Sequence, residues 1–191
     1  DFGNEGTWIS PARRFFGLGP TSEKSKETNY AEDYIKYEIS VGAPFWKGSN
    51  WKAHGYNQLQ GWRTWNGKTP NLAPFRDTYP GVGPSRRQQT NIVGTKVTYD
   101  SRDHGVTTSR GAYFETRAET SQKGFASVHD FQRYGADARY YHKPAPDSNH
   151  TYAIQAKFDQ QLANAPFWLQ SNLGGKYSLR AYGDGRYVDR G

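Results

Sequence analysis

Cysteine and methionine are both absent from these 191 residues. Without cysteine there is no disulfide framework and no thiolate metal site. Long apolar runs are missing too: nothing approaches the roughly 18 consecutive apolar residues of a transmembrane helix. No segment sustains the i, i+3, i+4, i+7 apolar stripe of an amphipathic helix. Hydrophobic residues make up only 34% of the chain, little for a conventional globular core of this length. Either much of the chain is loop, or its apolar surface is spread thinly along alternating strands. Tracts of like charge are also lacking. The 25 Lys and Arg against 18 Asp and Glu leave a net charge of +7, but the basic residues are scattered among acidic ones. A Lys/Arg-rich run of the kind that marks nucleic-acid binding does not occur, so nucleic acid is not an expected partner.

What the chain does contain is alternation. In "NYAEDYIKYEISVGAPF", Ile35, Tyr37, Ile39, Val41 and Ala43 share one face, and Lys36, Glu38, Ser40 and Gly42 the other. Ala112, Phe114, Thr116 and Ala118 oppose Tyr113, Glu115, Arg117 and Glu119. Tyr134, Ala136, Ala138 and Tyr140 oppose Arg133, Gly135, Asp137 and Arg139, and Tyr152, Ile154, Ala156 and Phe158 oppose Ala153, Gln155, Lys157 and Asp159. These are period-two strands near the length of about 9–11 residues that crosses a bilayer. A soluble sandwich gives the same alternation. The aromatics favour the membrane, because Tyr30, Phe45, Trp46, Trp51, Trp62, Trp65, Tyr99, Tyr140 and Tyr141 gather near strand ends as interfacial girdles do. Short connections (47–50, 101–111, 145–150) alternate with long ones (15–29, 66–91 and the tail from Gln160), the asymmetry of outer-membrane barrels. Six strands are expected, at about 30–43, 51–65, 90–100, 112–121, 130–142 and 151–159. Ile39, Phe114, Ala138 and Ile154 should then face lipid, and Lys36, Glu115, Asp137 and Lys157 the lumen. No fixed-period repeat or linker divides the chain, so 1–191 is expected to be one domain.

Two longer segments resemble a known family. "VTYDSRDHGVTTSRGAYFETRAE" (97–119) looks like the strand–turn–strand opening of the bacterial surface antigen domain, with Tyr99, Asp100, Arg102, Asp103, Arg110 and Gly111 in place and Thr108 where proline is usual. "PFWLQSNLGGKYSLRAYGDGRY" (166–187) is similar to the lid loop of the same BamA/TamA-like outer-membrane assembly barrels. Leu179, Arg180 and Tyr182 match its core, and Ala181 replaces the usual glycine, a change that costs stability if the position needs positive φ. "RRFFGLGP" with "ETNY" (13–30) and "DTYPGVG" (77–83) also look like loops of family members. The resemblance implies an all-β fold, an antiparallel transmembrane β-barrel of which about six strands of a probable 16 are present. It implies a lid-type loop over 160–191 whose Arg180 docks on an acidic motif of a later strand, with Asp184 and Asp189 as local alternatives. It further implies insertion or translocation of polypeptides at the bacterial outer membrane. The partners would be outer-membrane lipids and client polypeptides or assembly subunits. On this reading the native polypeptide runs to on the order of twice 21.7 kDa, because about eight strands are the practical minimum for closure.

The residues offer little for catalysis. A barrel-wall hydrolase needs a serine beside an oriented histidine. Of the five histidines, His104 and His150 fall in turns and His129 and His142 at strand ends. His54 lies on a strand, with Ser40 the one strand-central serine to consider. No catalytic residue, metal site or cofactor is expected. An outer-membrane lipid hydrolase remains the enzymatic alternative, and a passive porin or structural barrel, lacking a reason for the lid motif, is the other. Within "YDSRDH", Asp100, Arg102 and Asp103 at a strand end can hydrogen-bond turn backbone, a structural task. Arg180 is different: a guanidinium inside a lumen carries five donors and a permanent charge, so it needs carboxylate or carbonyl partners.

Overall fold

A computed structural model describes residues 2–20, 22–163, 165–175, 181–183 and 185–189, with 2–12 by backbone alone. Ten strands run in chain order: β1 (Phe2–Phe15), β2 (Thr28–Pro44), β3 (Trp51–Asn66), β4 (Ala73–Pro74), β5 (Gln88–Asp100), β6 (Gly111–Ser121), β7 (Phe131–His142), β8 (Tyr152–Ala163), β9 (Ser171–Leu173) and β10 (Tyr187–Asp189). The long strands form one meandering sheet in the order β1-β2-β3-β5-β6-β7-β8, each antiparallel to its neighbours. β4 adds a two-residue parallel contact to β2, and β9 pairs with β10 alone. Among the described residues the one α-helical turn, α1, covers Phe75–Thr78. No described helix is long and apolar enough to cross a membrane.

All six strands expected from alternation are present, with ends within a few residues. β8 continues to Ala163, so the tail leaves the sheet later than Gln160. β1 is a seventh long strand that alternation did not reveal. Its register on β2 shifts between Glu5 and Trp8 and again between Ser10 and Arg13. Pro11, which has no N–H for a ladder bond, falls inside the second shift. Each irregularity breaks the period of two that makes a strand legible.

Register between β2 and β3 runs without interruption from Tyr30↔Asn66 to Pro44↔Lys52 and continues across β5 to β8. Facing therefore propagates across the sheet. One face carries Tyr37, Ile39, Val41, Tyr140, Ile154 and Phe158, all exposed. The other carries Glu38, Glu115, Arg117, Asp137 and Asp159, all partly buried. The sheet curls toward this polar side: Gly19 and Pro20 near β1 and Arg133, Lys157 and Asp159 of β7 and β8 line one space of about 600 Å³.

The girdle assignment needs correcting by face. Phe45, Trp51, Tyr99 and Phe114 form a run at the short-turn rim, with Trp51 5.0 Å from Tyr99 and 6.4 Å from Phe114 between ring centres. Tyr30 and Trp62 instead belong to the inward row, as does Tyr141, opposite Gly111. Nearness to a strand end does not set facing; parity does. Tyr30 joins Phe15, Phe75, Phe167 and Val188 in a buried cluster, and Ile92, Phe131 and Ala165 form a second. Both clusters lie at the long-loop end on the inner side, so the apolar core is made by loops folding inward rather than by the sheet's outer face.

The absence of native cysteine makes the facing directly measurable. Single cysteines in the full-length protein in bilayers should react with a lipid-soluble maleimide at Ile39, Ala138 and Ile154, and with a water-soluble one at Lys36, Asp137 and Lys157. Arg in place of Ile39 should cost about 2–4 kcal/mol in urea unfolding if it lies near the midplane. Labelling that ignored parity would overturn the orientation.

Candidate functional site

The inward rows of the strands combine into a polar wall, and Asp159 on β8, an edge strand, gathers several of its contacts. Arg133 of β7 meets its carboxylate with two prongs, Nε to Oδ1 and Nη2 to Oδ2, both 3.0 Å. Arg117 of β6 donates to the same Oδ2, and Ser171 Oγ of β9 donates to Oδ1 at 2.8 Å. Arg133 also faces Glu119 at 3.8 Å, and Glu119 accepts the hydroxyl of Tyr56 on β3 at 2.6 Å. One line of charge and hydrogen bonds thus runs from β3 through β6, β7 and β8 to β9. Period-two alternation places these side chains on one face, and antiparallel register places them side by side. Opposite charges satisfy one another within a partly buried wall, where an unpaired one would be costly.

Nearer the short-turn rim, Arg139 donates to Asp137 through Nε and Nη2, at 3.1 and 2.6 Å, and Gln155 donates to the same carboxylate. The Tyr113 ring lies under two guanidiniums, Arg102 at 4.6 Å and Arg139 at 5.3 Å. Through that ring the strand–turn segment touches the wall.

Among the described residues after β8, Phe167, Trp168, Ser171, Arg186 and Val188 pack against the inner side of this wall or the loops beside it. Phe167 packs edge-on against Phe15 and Tyr30 with ring centres at 5.3 and 5.6 Å, and Trp168 stacks on Trp62, which stacks on Tyr34. Gln161 Nε2 donates to the Leu169 carbonyl, and the Gly19 N–H donates to the Val188 carbonyl at 2.8 Å. Arg186 adds a polar attachment to the loop before β2. Its Nη1 donates to the Ser22 carbonyl at 3.0 Å and to Ser22 Oγ at 2.8 Å, and its guanidinium lies over Tyr187 and Phe16. No motif in the linear sequence marks Arg186 for this part. Its adjacent Tyr187 was the available signal, but Ser22 is distant in sequence.

Of the lid-loop residues singled out from the sequence, Leu179 and Arg180 lie outside the described residues, as does Asp184. Ala181 and Tyr182 are exposed, and Tyr182 packs against Tyr187 at 5.6 Å. The strand–turn residues gather around one turn. Tyr99 faces outward into the aromatic run. Arg102 grips Asp100 with Nε and Nη2 at 2.8 and 2.7 Å. Asp103 accepts the N–H of His104 and of Ser109 and the Ser109 hydroxyl. Gly111 has φ +106°, and a Cβ there would stand 2.4 Å from the Ser101 carbonyl oxygen, so no other residue fits without a shift. Among the described residues no three His, Asp or Glu side chains converge as metal ligands would.

Two outcomes follow from these contacts. Asp159→Ala strands Arg117 and Arg133 and should cost about 1–3 kcal/mol, with Asp159→Glu restoring part of it, read from urea unfolding of the full-length protein. In the turn, the hydrogen bonds from Ser109, then from Arg110 and His104 backbone, hold the Asp103 carboxyl well below the usual carboxylate range. A folded pKa below the unfolded one means that the ionised form stabilises the turn. That contribution is complete above about pH 4 and is lost as pH falls through the lowered value. Amide exchange at His104 and Ser109 should accelerate on acidification only in that window, and Asp103→Ala should abolish the pH step.

Comparison with known proteins comes down on the same architecture. The crystal structure of BamA from Haemophilus ducreyi lacking POTRA domains 1-3 superposes with a TM-score of 0.61 at 13% identity, over 94% of this chain and 37% of that one. At that identity the likeness is one of fold, and the chain spans little more than a third of that BamA chain. No curated protein shows significant sequence similarity. The Omp85 superfamily domain matches residues 6–190. With that match over nearly its whole length, the chain belongs to the Omp85 superfamily, as its resemblance to BamA/TamA-like barrels implied.

Proposed function

We propose that this chain forms part of the wall of a bacterial outer-membrane barrel that inserts or translocates other polypeptides, with the segment after Ala163 serving as its lid. The observation that carries this reading is the inward docking of that segment. Phe167 and Val188 enter the buried cluster with Phe15, Tyr30 and Phe75, Ser171 joins Asp159, and Arg186 holds Ser22. A passive pore has no use for so many attachments across its lumen. The motif Leu179–Arg180–Ala181–Tyr182 falls in the stretch between β9 and β10, and Arg180 is proposed as a further anchor within the lumen. The strand–turn residues Asp100, Arg102, Asp103 and Gly111 are proposed to shape the rim, not to act on a substrate.

The physical basis of such an activity is the cost of unpaired backbone in lipid, several kcal/mol per group. A barrel able to open a strand edge can pair it with an incoming strand, as in β-augmentation. β2, β3, β5, β6 and β7 are each paired on both sides, so they supply rigid wall, and the opening edge is assigned to other strands of the full-length protein. The occupants of the site are client polypeptides or assembly subunits, in a wall bounded by outer-membrane lipid.

A reversible lock tests the lid. In the full-length protein, cysteines at Ser22 and Arg186 should form a disulfide under mild oxidation. The oxidised protein in proteoliposomes should insert a client barrel several-fold more slowly, with recovery on reduction. In planar bilayers the wild type should conduct little, while Phe167→Ala, Arg186→Ala and Arg180→Ala should raise conductance. High steady conductance of the wild type, or equal insertion by locked and unlocked protein, would return the chain to the porin reading.

A further inference from the structure

On the outward positions of β2, β3, β5, β6, β7 and β8, Asp33 and Arg63 are the Asp, Glu, Lys or Arg residues; every other such position among the described residues is uncharged. They pair directly across β2 and β3, next to the row of Ile35 and Gly61 and on its long-loop side. Arg63 Nη2 donates to Asp33 Oδ2 at 2.7 Å, and Arg87, from the loop before β5, donates through Nη2 to both carboxylate oxygens at 2.7 Å. Gly61 leaves the room for this. The Arg87 stem lies across it, and a Cβ there would stand 3.1 Å from the Arg87 Cδ. Trp65 flanks the cluster, with the Arg63 guanidinium 5.3 Å from its ring centre.

The arithmetic of the cluster is unusual for a clamp. One Asp side chain, 6% exposed, faces two arginines whose side chains are 48% and 37% exposed. A single arginine satisfies a carboxylate with two prongs, so the second cation is surplus and the group carries a net charge of +1. Arg63 Nε and Nη1 and Arg87 Nε make no hydrogen bond among the described residues. Asp33 holds the two forks, and unfilled donors remain on both. The position adds the second clue: the cluster interrupts the uncharged outward band next to the Ala31–Trp65 row, beside an outward tryptophan and close to the rim of the long loops. In outer-membrane barrels that rim meets the outer leaflet's headgroups.

We propose that Asp33, Arg63 and Arg87 form a lipid-facing site for the phosphate of an anionic glycolipid headgroup in the outer leaflet. This rests on the outer-membrane reading above but not on the insertion activity. The carboxylate pre-orients two guanidiniums, whose planar forks suit phosphate oxygens, and Trp65 offers an amphipathic flank at headgroup depth.

The test uses the full-length protein in nanodiscs with EDTA present, so that divalent cations do not bridge phosphates. The probes are diphosphorylated lipid A, its dephosphorylated form and inorganic phosphate, with bound lipid counted by native mass spectrometry. Removing arginines alone would bury an unpaired Asp33, so the variant is D33N/R63Q/R87Q, which removes all three charges together. The wild type should prefer the diphosphorylated lipid by about tenfold or more, and the preference should shrink as salt rises. The triple variant should lose it, while Lys47→Ala, on the opposite rim, should keep it. If the triple variant does not fold, Arg63→Gln alone leaves the Arg87–Asp33 pair intact and should still lose several-fold. An undiminished preference in the folded variants makes the cluster a clamp between loop and strand and overturns the proposal. Inorganic phosphate competing as well as the lipid, with equal binding of both lipid forms, makes it a free-anion site and overturns the lipid assignment. Client insertion by the same variants should be unchanged, which separates failure here from failure of the assembly reading.

Discussion

A strand that faces hydrocarbon has no water to satisfy its peptide groups, so every N–H and C=O must find another strand. That constraint accounts for most of what is seen in this chain. It excludes isolated irregular backbone across the bilayer and dictates long antiparallel neighbours in continuous register. It also turns side-chain chemistry inside out, with apolar residues such as Ile39, Val41 and Ile154 exposed on one face and charged ones crowded on the other. The low hydrophobic content is then no deficit, because the outer apolar face need not be buried against protein.

The inward face pays for this arrangement with a dense set of paired charges. Asp159 alone joins β6, β7, β8 and β9 through Arg117, Arg133 and Ser171. Such a network adds modest net free energy per pair in a partly wet lumen, but removing one member leaves the rest unbalanced. It also supplies a fixed polar surface on which an inward-folded segment can register. The attachment is therefore of two kinds: an apolar one at the long-loop end, through Phe167 and Val188, and a polar one through Ser171, Gln161 and Arg186. Apolar contacts give adhesion, while the directional ones fix where the segment sits.

Loops do the work of a core here. Phe75 comes from the long connection between β3 and β5, Phe167 from the segment after β8, and Phe15 and Tyr30 from strand ends flanking another connection. None of these residues belongs to a run that looks like a core in the sequence, because they meet only once the sheet has curled.

The linear order of residues by itself determined the fold class, the six strands of regular alternation and the facing of Ile39, Phe114, Ala138 and Ile154 against Lys36, Glu115, Asp137 and Lys157. Period-two patterning is local and survives without knowledge of partners. The family resemblance was legible for a similar reason, since the strand–turn segment and the segment that resembles a lid loop are each contiguous in the chain. Tertiary structure decided the rest. β1 was hidden because Pro11 and two register shifts interrupt its period. Tyr30 and Trp62 read as girdle residues until register placed them inside. Arg186 and Ser22, and the Asp33–Arg63–Arg87 cluster, join residues far apart in the chain. Such pairings depend on which strands adjoin and how far the sheet curls, and no local pattern of side chains encodes either.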